Sequence, residues 1–152
     1  MSPVFTFRMG LFEAEFPADR QYAKNHMWAQ RRGDVFRFGF TAYAVRLLQD
    51  VYFLDWTVDP PTELQPRQEI GSIESKKAES ALFAPIGGVL TAFNEQLLDD
   101  PSAINLDKYG AGWLFEIRGP GDGLLTPEQY LEHLANVWPV AQRTIKGQMN
   151  ES

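Results

Sequence analysis

The chain has 152 residues, a length that suits one folded domain, and it contains no cysteine. Disulfide bonds, thiolate metal sites and cysteine nucleophiles are therefore excluded. Twenty acidic side chains stand against fourteen Lys and Arg, and the net charge of −6 argues against a general nucleic-acid-binding protein. No apolar run approaches the length of a membrane span, and the first residues lack the basic and apolar regions of a secretory signal, so we expect a cytoplasmic protein.

The first third of the chain predicts short strands and one short helix. Residues 4–8 are rich in β-branched and aromatic side chains, which indicates a strand, and residues 10–20 indicate a loop with room for one turn of helix. In Val35–Phe40, aromatic or apolar residues alternate with smaller or charged ones, which is the pattern of a half-buried strand. Thr41 is positioned to cap a helix that continues to Leu48.

A β-hairpin with a charged tip is predicted between residues 69 and 83. Ile70 and Ile73 precede the polar stretch 74–80, and two further apolar residues follow it. Two half-buried strands around a short polar turn form a hairpin, and its tip projects side chains into solvent.

In the last third of the chain, short strands alternate with chain breakers and two helices. Residues 89–93 and 112–117 predict strands, and residues 100–105 predict a short helix. A Thr-Pro-Glu-Gln sequence combines a capping box with a proline at the first helical position, which predicts a helix over residues 126–138. We expect a flexible tail over residues 139–152. Many short strands separated by turn signals predict a mainly β (α+β) barrel or sandwich with peripheral helices.

Four segments in a fixed order resemble the H protein of the glycine cleavage system. Residues 22–28 (YAKNHMW) are similar to the family's opening Tyr-x-Lys-Glu-His-Glu-Trp, and residues 39–50 follow the family pattern. Residues 73–88 contain ESKKA and a later PIGG, similar to the attachment motif Glu-Ser-x-Lys-Ala and its Pro-x-x-Gly. Residues 94–114 are similar to the family's C-terminal half. The resemblance covers residues 22–118 and implies the barrel-sandwich hybrid fold of lipoyl and biotinyl domains.

The resemblance implies that Lys77 carries a lipoyl group as an amide at the hairpin tip. Glu74 lies three residues before Lys77 and Gly88 eleven after it, at positions that match those read by the lipoylating enzyme in this family. The redox sulfur atoms then belong to the cofactor, so a chain without cysteine can act as the carrier and no residue of it need be catalytic. Two histidines without an acidic cluster predict no metal site.

The implied function is a carrier function in a multi-enzyme system. The arm takes the aminomethyl unit of glycine from glycine decarboxylase (P-protein) to aminomethyltransferase (T-protein), and dihydrolipoyl dehydrogenase reoxidises it. A lipoate ligase or a lipoyl/octanoyl transferase attaches the lipoate. The resemblance implies no contact with nucleic acid or membrane, and we expect a monomer, because a shuttle presents one arm to several enzymes in turn.

The identity of the modified lysine rests on alignment rather than on the lysine pair itself. A Lys-Lys pair in a polar turn is ordinarily a solvated turn, and Lys76 is the obvious rival for attachment. Aligning Ser75 and Ala78 with the family motif favours Lys77, because the family has one residue between its serine and its lysine. A biotin carrier is disfavoured, because biotin sites place methionine on both sides of the lysine.

Four departures from the family pattern keep a second function open. The two glutamates of the opening motif are Asn25 and Met27 here, Lys76 stands where the family has a small apolar residue, and Pro61 lies in a turn that usually carries glycines. A lipoylated carrier for another pathway, such as heterodisulfide-reductase-like sulfur oxidation, fits these departures. A third function, an unmodified paralogue acting as a lipoyl-relay or interaction module, also stays open, and in that protein Lys77 stays free.

Overall fold

The computed structural model of the protein describes residues 3–151, and the side chains of residues 3–143. In the described part of the chain, strands dominate and helices lie mainly at the periphery. The strands are β1 (Val4–Met9), β2 (Phe12–Pro17), β3 (Gln21–Tyr22), β4 (Met27–Arg32), β5 (Val35–Phe40), β6 (Val51–Trp56), β7 (Thr62–Leu64), β8 (Glu69–Ser75), β9 (Glu79–Phe83), β10 (Gly88–Phe93) and β11 (Phe115–Arg118). The helices are α1 (Ala42–Leu48), α2 (Gln96–Asp99), α3 (Ala103–Leu106) and α4 (Pro127–Glu151).

Two antiparallel sheets enclose the main core. One sheet has the strand order β3-β4-β5-β11-β10-β7, and the other has the order β6-β8-β9. Phe38 and Phe115 from the first sheet belong to the same apolar cluster as Ile73 and Leu82 from the second. The prediction of a mainly β barrel-sandwich hybrid with peripheral short helices and a C-terminal helix is confirmed.

The prediction of a loop over residues 10–20 is wrong, because β2 occupies most of that stretch. β2 pairs with β1 from Val4 opposite Pro17 to Met9 opposite Phe12, and it buries Ala14 and Phe16 completely. Glutamate and alanine are weak strand formers. Strand β2 therefore depends on pairing with β1 and on burial of every second residue in a second apolar cluster formed with α1 and α4.

Helix α4 begins as predicted but extends further than predicted. Thr126 N–H donates to Gln129 Oε1 at 3.0 Å, and Gln129 N–H donates to Thr126 Oγ1 at 3.2 Å, which is the reciprocal pattern of a capping box. The predicted end near Trp138 is wrong, because the helix includes Pro139 and runs to Glu151. Proline has no backbone N–H, so the carbonyl of Ala135, four residues earlier, receives no helical hydrogen bond from Pro139. Ala135 is exposed, and water can donate a hydrogen bond to its carbonyl instead. Ser152 lies outside the described residues.

Helix α1 begins as predicted and ends in a strained turn. Thr41 caps it by accepting a hydrogen bond from Ala44 N–H. Gln49 ends it with φ 60° and ψ −141°. Asn105 holds this turn, since its Nδ2 donates to Gln49 O at 2.7 Å and its Oδ1 accepts from Val51 N–H at 3.0 Å. Glycine adopts the backbone angles of Gln49 readily, whereas other residues do so at a cost.

Replacing Gln49 with glycine should stabilise the protein by about 1 kcal/mol. Removal of the side chain relieves strain of about 1 to 3 kcal/mol, and the greater freedom of glycine in the unfolded chain offsets part of this gain. Urea unfolding followed by circular dichroism measures the difference. Gln49→Ala is the control, because it shortens the side chain and keeps Cβ; an equal gain from alanine would contradict the strain argument.

None of the helices in residues 3–151 combines the length and the apolar character needed to cross a bilayer.

Candidate functional site

The tip of the β8–β9 hairpin presents two lysines on a fixed backbone. Glu74 pairs with Glu79 across the hairpin, and Lys76 and Lys77 form its turn. Ser75 N–H donates to Ala78 O at 2.8 Å, and Ser75 Oγ accepts from Ala78 N–H at 3.1 Å. These two hydrogen bonds close the turn between Ser75 and Ala78, and both lysine side chains are exposed to solvent.

A third strand and the end of α1 support the tip from behind. β6 pairs with β8, with Val51 opposite Ser75 at the tip end of the sheet. Lys76 N–H donates to Asp50 O at 2.8 Å, which joins the turn to the segment between α1 and β6. The backbone N–H of Lys76 is therefore hydrogen-bonded to this neighbouring segment, whereas the backbone of Lys77 is not.

An apolar cavity of about 270 Å³ lies beside the tip, between α1 and β9. We call it the α1–β9 cavity. Its apolar walls include Met27, Phe40, Leu48, Ile73 and Leu82. Ala78, which follows Lys77 directly, also lines it, so a group attached to Lys77 begins at its edge. The volume is close to the lower end of the range for small-molecule pockets.

Three uncharged polar residues, Asn25, His26 and Ser80, also line the α1–β9 cavity. Asn25 Nδ2 donates to Phe83 O at 3.1 Å, whereas its Oδ1 is buried without a hydrogen-bond partner. His26 Nδ1 lies 3.0 Å from the hydroxyl of Tyr130 on α4. Burial and, as the smaller cause, the nearby His133 lower the pKa of His26 from 6.5 to about 4. His26 is therefore uncharged at neutral pH.

The half-buried, neutral His26 should make folding stability depend on pH. The folded pKa is lower than the unfolded pKa, so the stability is fully present above pH 6.5 and is lost as the pH falls from 6.5 towards 4. Between pH 7 and pH 5 the loss from this one group is about 2 kcal/mol. Urea unfolding at both pH values measures it.

His26→Asn is the matched variant for this measurement. Asparagine tolerates the φ of 70° at this position and keeps a polar group facing Tyr130, but it does not titrate. The variant should lose about 2 kcal/mol less than the native chain over the same pH interval. Parallel pH curves for the two proteins would contradict the assignment.

The structure brings two of the three predicted site residues together. Glu74 is exposed on β8 beside the tip, and among the described residues it forms no ion pair with either lysine. Gly88 instead lies in the other sheet, where it begins β10 and pairs with Leu64 of β7. A Cβ at Gly88 would lie 2.3 Å from Arg118 O, so this position has a structural requirement for glycine.

The residues of the α1–β9 cavity were not predicted from the sequence as a site. They come from three separate parts of the chain, which are the segment 25–27, the β5–α1 segment and the β8–β9 hairpin. The sequence signals were three segments of the family resemblance, residues 22–28, 39–50 and 73–88, each of which contributes lining residues. Within the described residues, no three His, Asp or Glu side chains lie close enough together to hold a metal ion.

Comparisons of the sequence with known proteins show which family this chain belongs to. The family model for the glycine cleavage H-protein matches residues 20–137. A probable glycine cleavage system H protein of Natronomonas pharaonis is 40% identical over 124 residues, which cover 80% of this chain and 98% of that protein. The chain belongs to the glycine cleavage H-protein family.

A further H protein is similar in sequence, and a solved H-protein structure is similar in fold. The glycine cleavage system H protein of Rubrobacter xylanophilus is 38% identical over 122 residues, covering 80% of this chain and 96% of that protein. The crystal structure of an H protein from Mycobacterium marinum superposes with a TM-score of 0.69 at 33% identity, over 80% of this chain and 98% of that one. The β1–β2 hairpin precedes the residues that the family model matches.

Proposed function

We propose that this H-protein family member is a lipoyl carrier with its arm attached to Lys77. Within the glycine cleavage system it takes the aminomethyl unit from glycine decarboxylase to aminomethyltransferase, and dihydrolipoyl dehydrogenase reoxidises the arm. The chain itself acts as a carrier and not as an enzyme. The observation that carries the proposal is an exposed lysine at the tip of a rigid hairpin, directly beside an apolar cavity.

The residues around Lys77 fit a lipoyl group. When bound, the group supplies the disulfide chemistry that a chain without cysteine lacks. Amide formation removes the charge of Lys77, so the attached chain can turn into the α1–β9 cavity without burying an ammonium. Burying four methylenes contributes about 3 kcal/mol, which is enough to hold the arm and little enough to release it. The hairpin keeps the attachment point in place while the arm moves.

Reconstitution tests this function. The chain is lipoylated with lipoate ligase, mass spectrometry locates the added group, and the product is mixed with glycine decarboxylase. Glycine-dependent exchange of labelled carbon dioxide should require the lipoylated chain, and the unlipoylated chain is its control. A chain lipoylated at Lys77 that supports no exchange, beside an active H protein from another source, would exclude the glycine cleavage role.

One observation favours a second candidate function. No Asp or Glu lines the part of the α1–β9 cavity formed by described residues, so the cavity offers no counter-charge to an amine on the arm. A lipoyl carrier for another pathway, with an uncharged or anionic cargo, fits such a cavity. It would share the attachment at Lys77 and fail in the exchange assay, whereas an unmodified paralogue would fail at lipoylation itself.

We further propose that the lipoylating enzyme recognises Glu74. Glu74→Gln should slow lipoylation about tenfold, because a hydrogen bond to a charged group contributes about 1.5 kcal/mol or more. Stability should stay unchanged, since Glu74 is exposed. Glu79→Gln is the matched control, because Glu79 lies opposite Glu74 in the hairpin. The initial rate of lipoylation measures the effect, and equal rates for the two variants would contradict recognition of Glu74.

A further inference from the structure

Three hydrogen-bond contacts join His26, Thr41 and Tyr130 beside the α1–β9 cavity. Thr41 Oγ1 lies 3.1 Å from the carbonyl oxygen of His26 and 3.0 Å from the hydroxyl oxygen of Tyr130. The same Tyr130 hydroxyl lies 3.0 Å from His26 Nδ1. All three distances fit hydrogen bonds. Because two lone pairs that face each other at such a distance repel, each contact needs one proton.

The number of protons available decides which nitrogen of His26 carries its hydrogen. The hydroxyls of Thr41 and Tyr130 bring one proton each, and a carbonyl oxygen brings none. Burial raises the pKa of Tyr130, so its hydroxyl keeps its proton at neutral pH. Thr41 Oγ1 already accepts from Ala44 N–H and has one lone pair left for Tyr130. The third contact therefore takes its proton from His26 Nδ1, which donates to the oxygen of Tyr130.

The other ring nitrogen of His26 is left without a hydrogen. The pKa of His26 is about 4, so the ring is neutral at pH 7, and a neutral imidazole carries one N–H only. Nε2 has no hydrogen-bond partner among the described residues, and unlike Oδ1 of Asn25 it is not buried. Nε2 of His26 is thus an accessible acceptor.

The wall that Asn25 and His26 form in the α1–β9 cavity offers acceptors rather than donors. Asn25 Nδ2 is bonded to Phe83 O, which leaves Oδ1 as the unpaired atom of that amide. His26 lines the cavity beside it and contributes Nε2. The cavity is open to solvent, so hydrogen bonding and not burial decides which groups this wall binds. A group with an N–H can bond to such a wall, whereas a group that carries only acceptors cannot.

We infer that Tyr130 is a positioning residue that keeps His26 protonated at Nδ1, so that Nε2 accepts a hydrogen bond from an N–H group at the outer end of the arm on Lys77. Tyr130 belongs to α4 and Thr41 caps α1, so contacts outside the cavity set its hydrogen-bonding character. The bond to the arm rests on the proposed attachment at Lys77, whereas the tautomer of His26 does not. An arm end with an N–H is favoured over one that carries acceptors only.

Nitrogen NMR of the unmodified, isotope-labelled chain tests the tautomer. Long-range correlations between the ring nitrogens and the protons on the ring carbons distinguish a protonated nitrogen from a bare one. The chain has two histidines, and a His133→Gln chain identifies the signals of His26. At pH 7, Nδ1 of His26 should be the protonated nitrogen and Nε2 the bare one. A protonated Nε2 would overturn the inference.

Tyr130→Phe and Tyr22→Phe form a matched pair for the positioning role. The two rings stack 4.9 Å apart, so each change removes one hydroxyl from the same packing. The hydroxyl of Tyr22 donates to Pro17 O and not to the His26 network. In Tyr130→Phe, His26 Nδ1–H loses its acceptor, and the population should shift towards the tautomer protonated at Nε2. In Tyr22→Phe it should stay as in the native chain, and an equal result for both variants would refute the role of Tyr130.

Two alkylated arms of nearly the same shape test the hydrogen bond to Nε2. The chain has no cysteine, so the reduced sulfurs of a lipoylated chain are its only thiols. Iodoacetamide adds an end with an amide NH₂, and bromoacetone adds an end in which a methyl group replaces the NH₂. The amide-ending arm should shift the Nε2 signal of His26, and the ketone-ending arm should leave it unshifted. Equal shifts from both arms, or a shift from neither, would overturn acceptance by Nε2.

Two further chains separate the steps of this inference. In lipoylated Tyr130→Phe, the difference between the two arms should shrink, and an undiminished difference would refute positioning by Tyr130. In a Lys77→Cys chain, iodoacetamides with long chains of equal length, ending in a primary amide or in a methyl ketone, make the same comparison without lipoate. Failure of the native chain to accept lipoate would refute the proposed function and leave this comparison and the tautomer measurement in place.

Discussion

Lys77→Arg should accept no lipoyl group, whereas Lys76→Arg should be lipoylated as completely as the native chain. Arginine keeps the length and the positive charge of lysine, but its guanidinium stays protonated and does not form the amide. Both lysines are exposed, so neither change should disturb the fold. Intact mass after incubation with lipoate ligase measures the result, and peptide mapping locates the added group.

The turn itself gives a physical reason for the difference between the two lysines. Lys76 N–H is bonded to Asp50 O, which holds Lys76 against the neighbouring segment. Lys77 is followed by Ala78, which lines the α1–β9 cavity, so an arm on Lys77 has the cavity within immediate reach. A lipoyl group found on Lys76, or on the Lys77→Arg chain, would contradict the assignment. Thermal unfolding of both variants controls for any loss of structure.

Local signals in the sequence predicted those parts of the fold that local bonds hold. Thr41 caps α1 and the Thr126–Gln129 pair caps α4 through hydrogen bonds over three residues, and both caps are readable from residue type and spacing. The β8–β9 hairpin also follows from a short turn between apolar strands. These elements need no distant partner in order to be recognised.

Elements that depend on distant partners were predicted less well. The Glu-Ala-Glu sequence of β2 has weak strand propensity, and burial of Phe16 beside Tyr22 and Tyr130 stabilises the strand. The continuation of α4 through Pro139 contradicts the local rule that proline ends a helix. In each of these places, contacts or solvent exposure in the folded chain decide the outcome.

In the candidate site, too, the residues of one local motif were predicted, whereas the cavity formed by distant residues was not. Lys77 and Glu74 were predicted because a single sequence motif contains both. The α1–β9 cavity is a gap between side chains, and the apolar pattern of Met27, Phe40 and Ile73 predicts burial without predicting where packing is incomplete. Likewise, the free Oδ1 of Asn25 becomes evident only once all its neighbours are positioned.

Gly88→Ala should destabilise the protein by about 3 kcal/mol. The new Cβ would lie 2.3 Å from Arg118 O and 3.0 Å from Ile117 Cγ2, and the φ of 146° is one that alanine rarely adopts. Backbone strain and overpacking each cost about 1 to 3 kcal/mol, and relaxation of β10 away from β11 recovers part of the sum. Gly123→Ala is the control, because its φ is 86° but the space around it is open; it should cost about 1 kcal/mol. Urea unfolding measures both changes.

The stability lost in Gly88→Ala has to be separated from any effect on recognition of Gly88 by the lipoylating enzyme. Because Gly88 lies in the six-stranded sheet and not in the hairpin, we expect it to affect lipoylation through the pairing of β10 with β11. The rate of lipoylation per folded molecule, measured well below the unfolding midpoint, should then stay within about twofold of the native rate, since twofold corresponds to about 0.4 kcal/mol. A rate per folded molecule that falls tenfold or more would show instead that the enzyme contacts the surface at Gly88 directly.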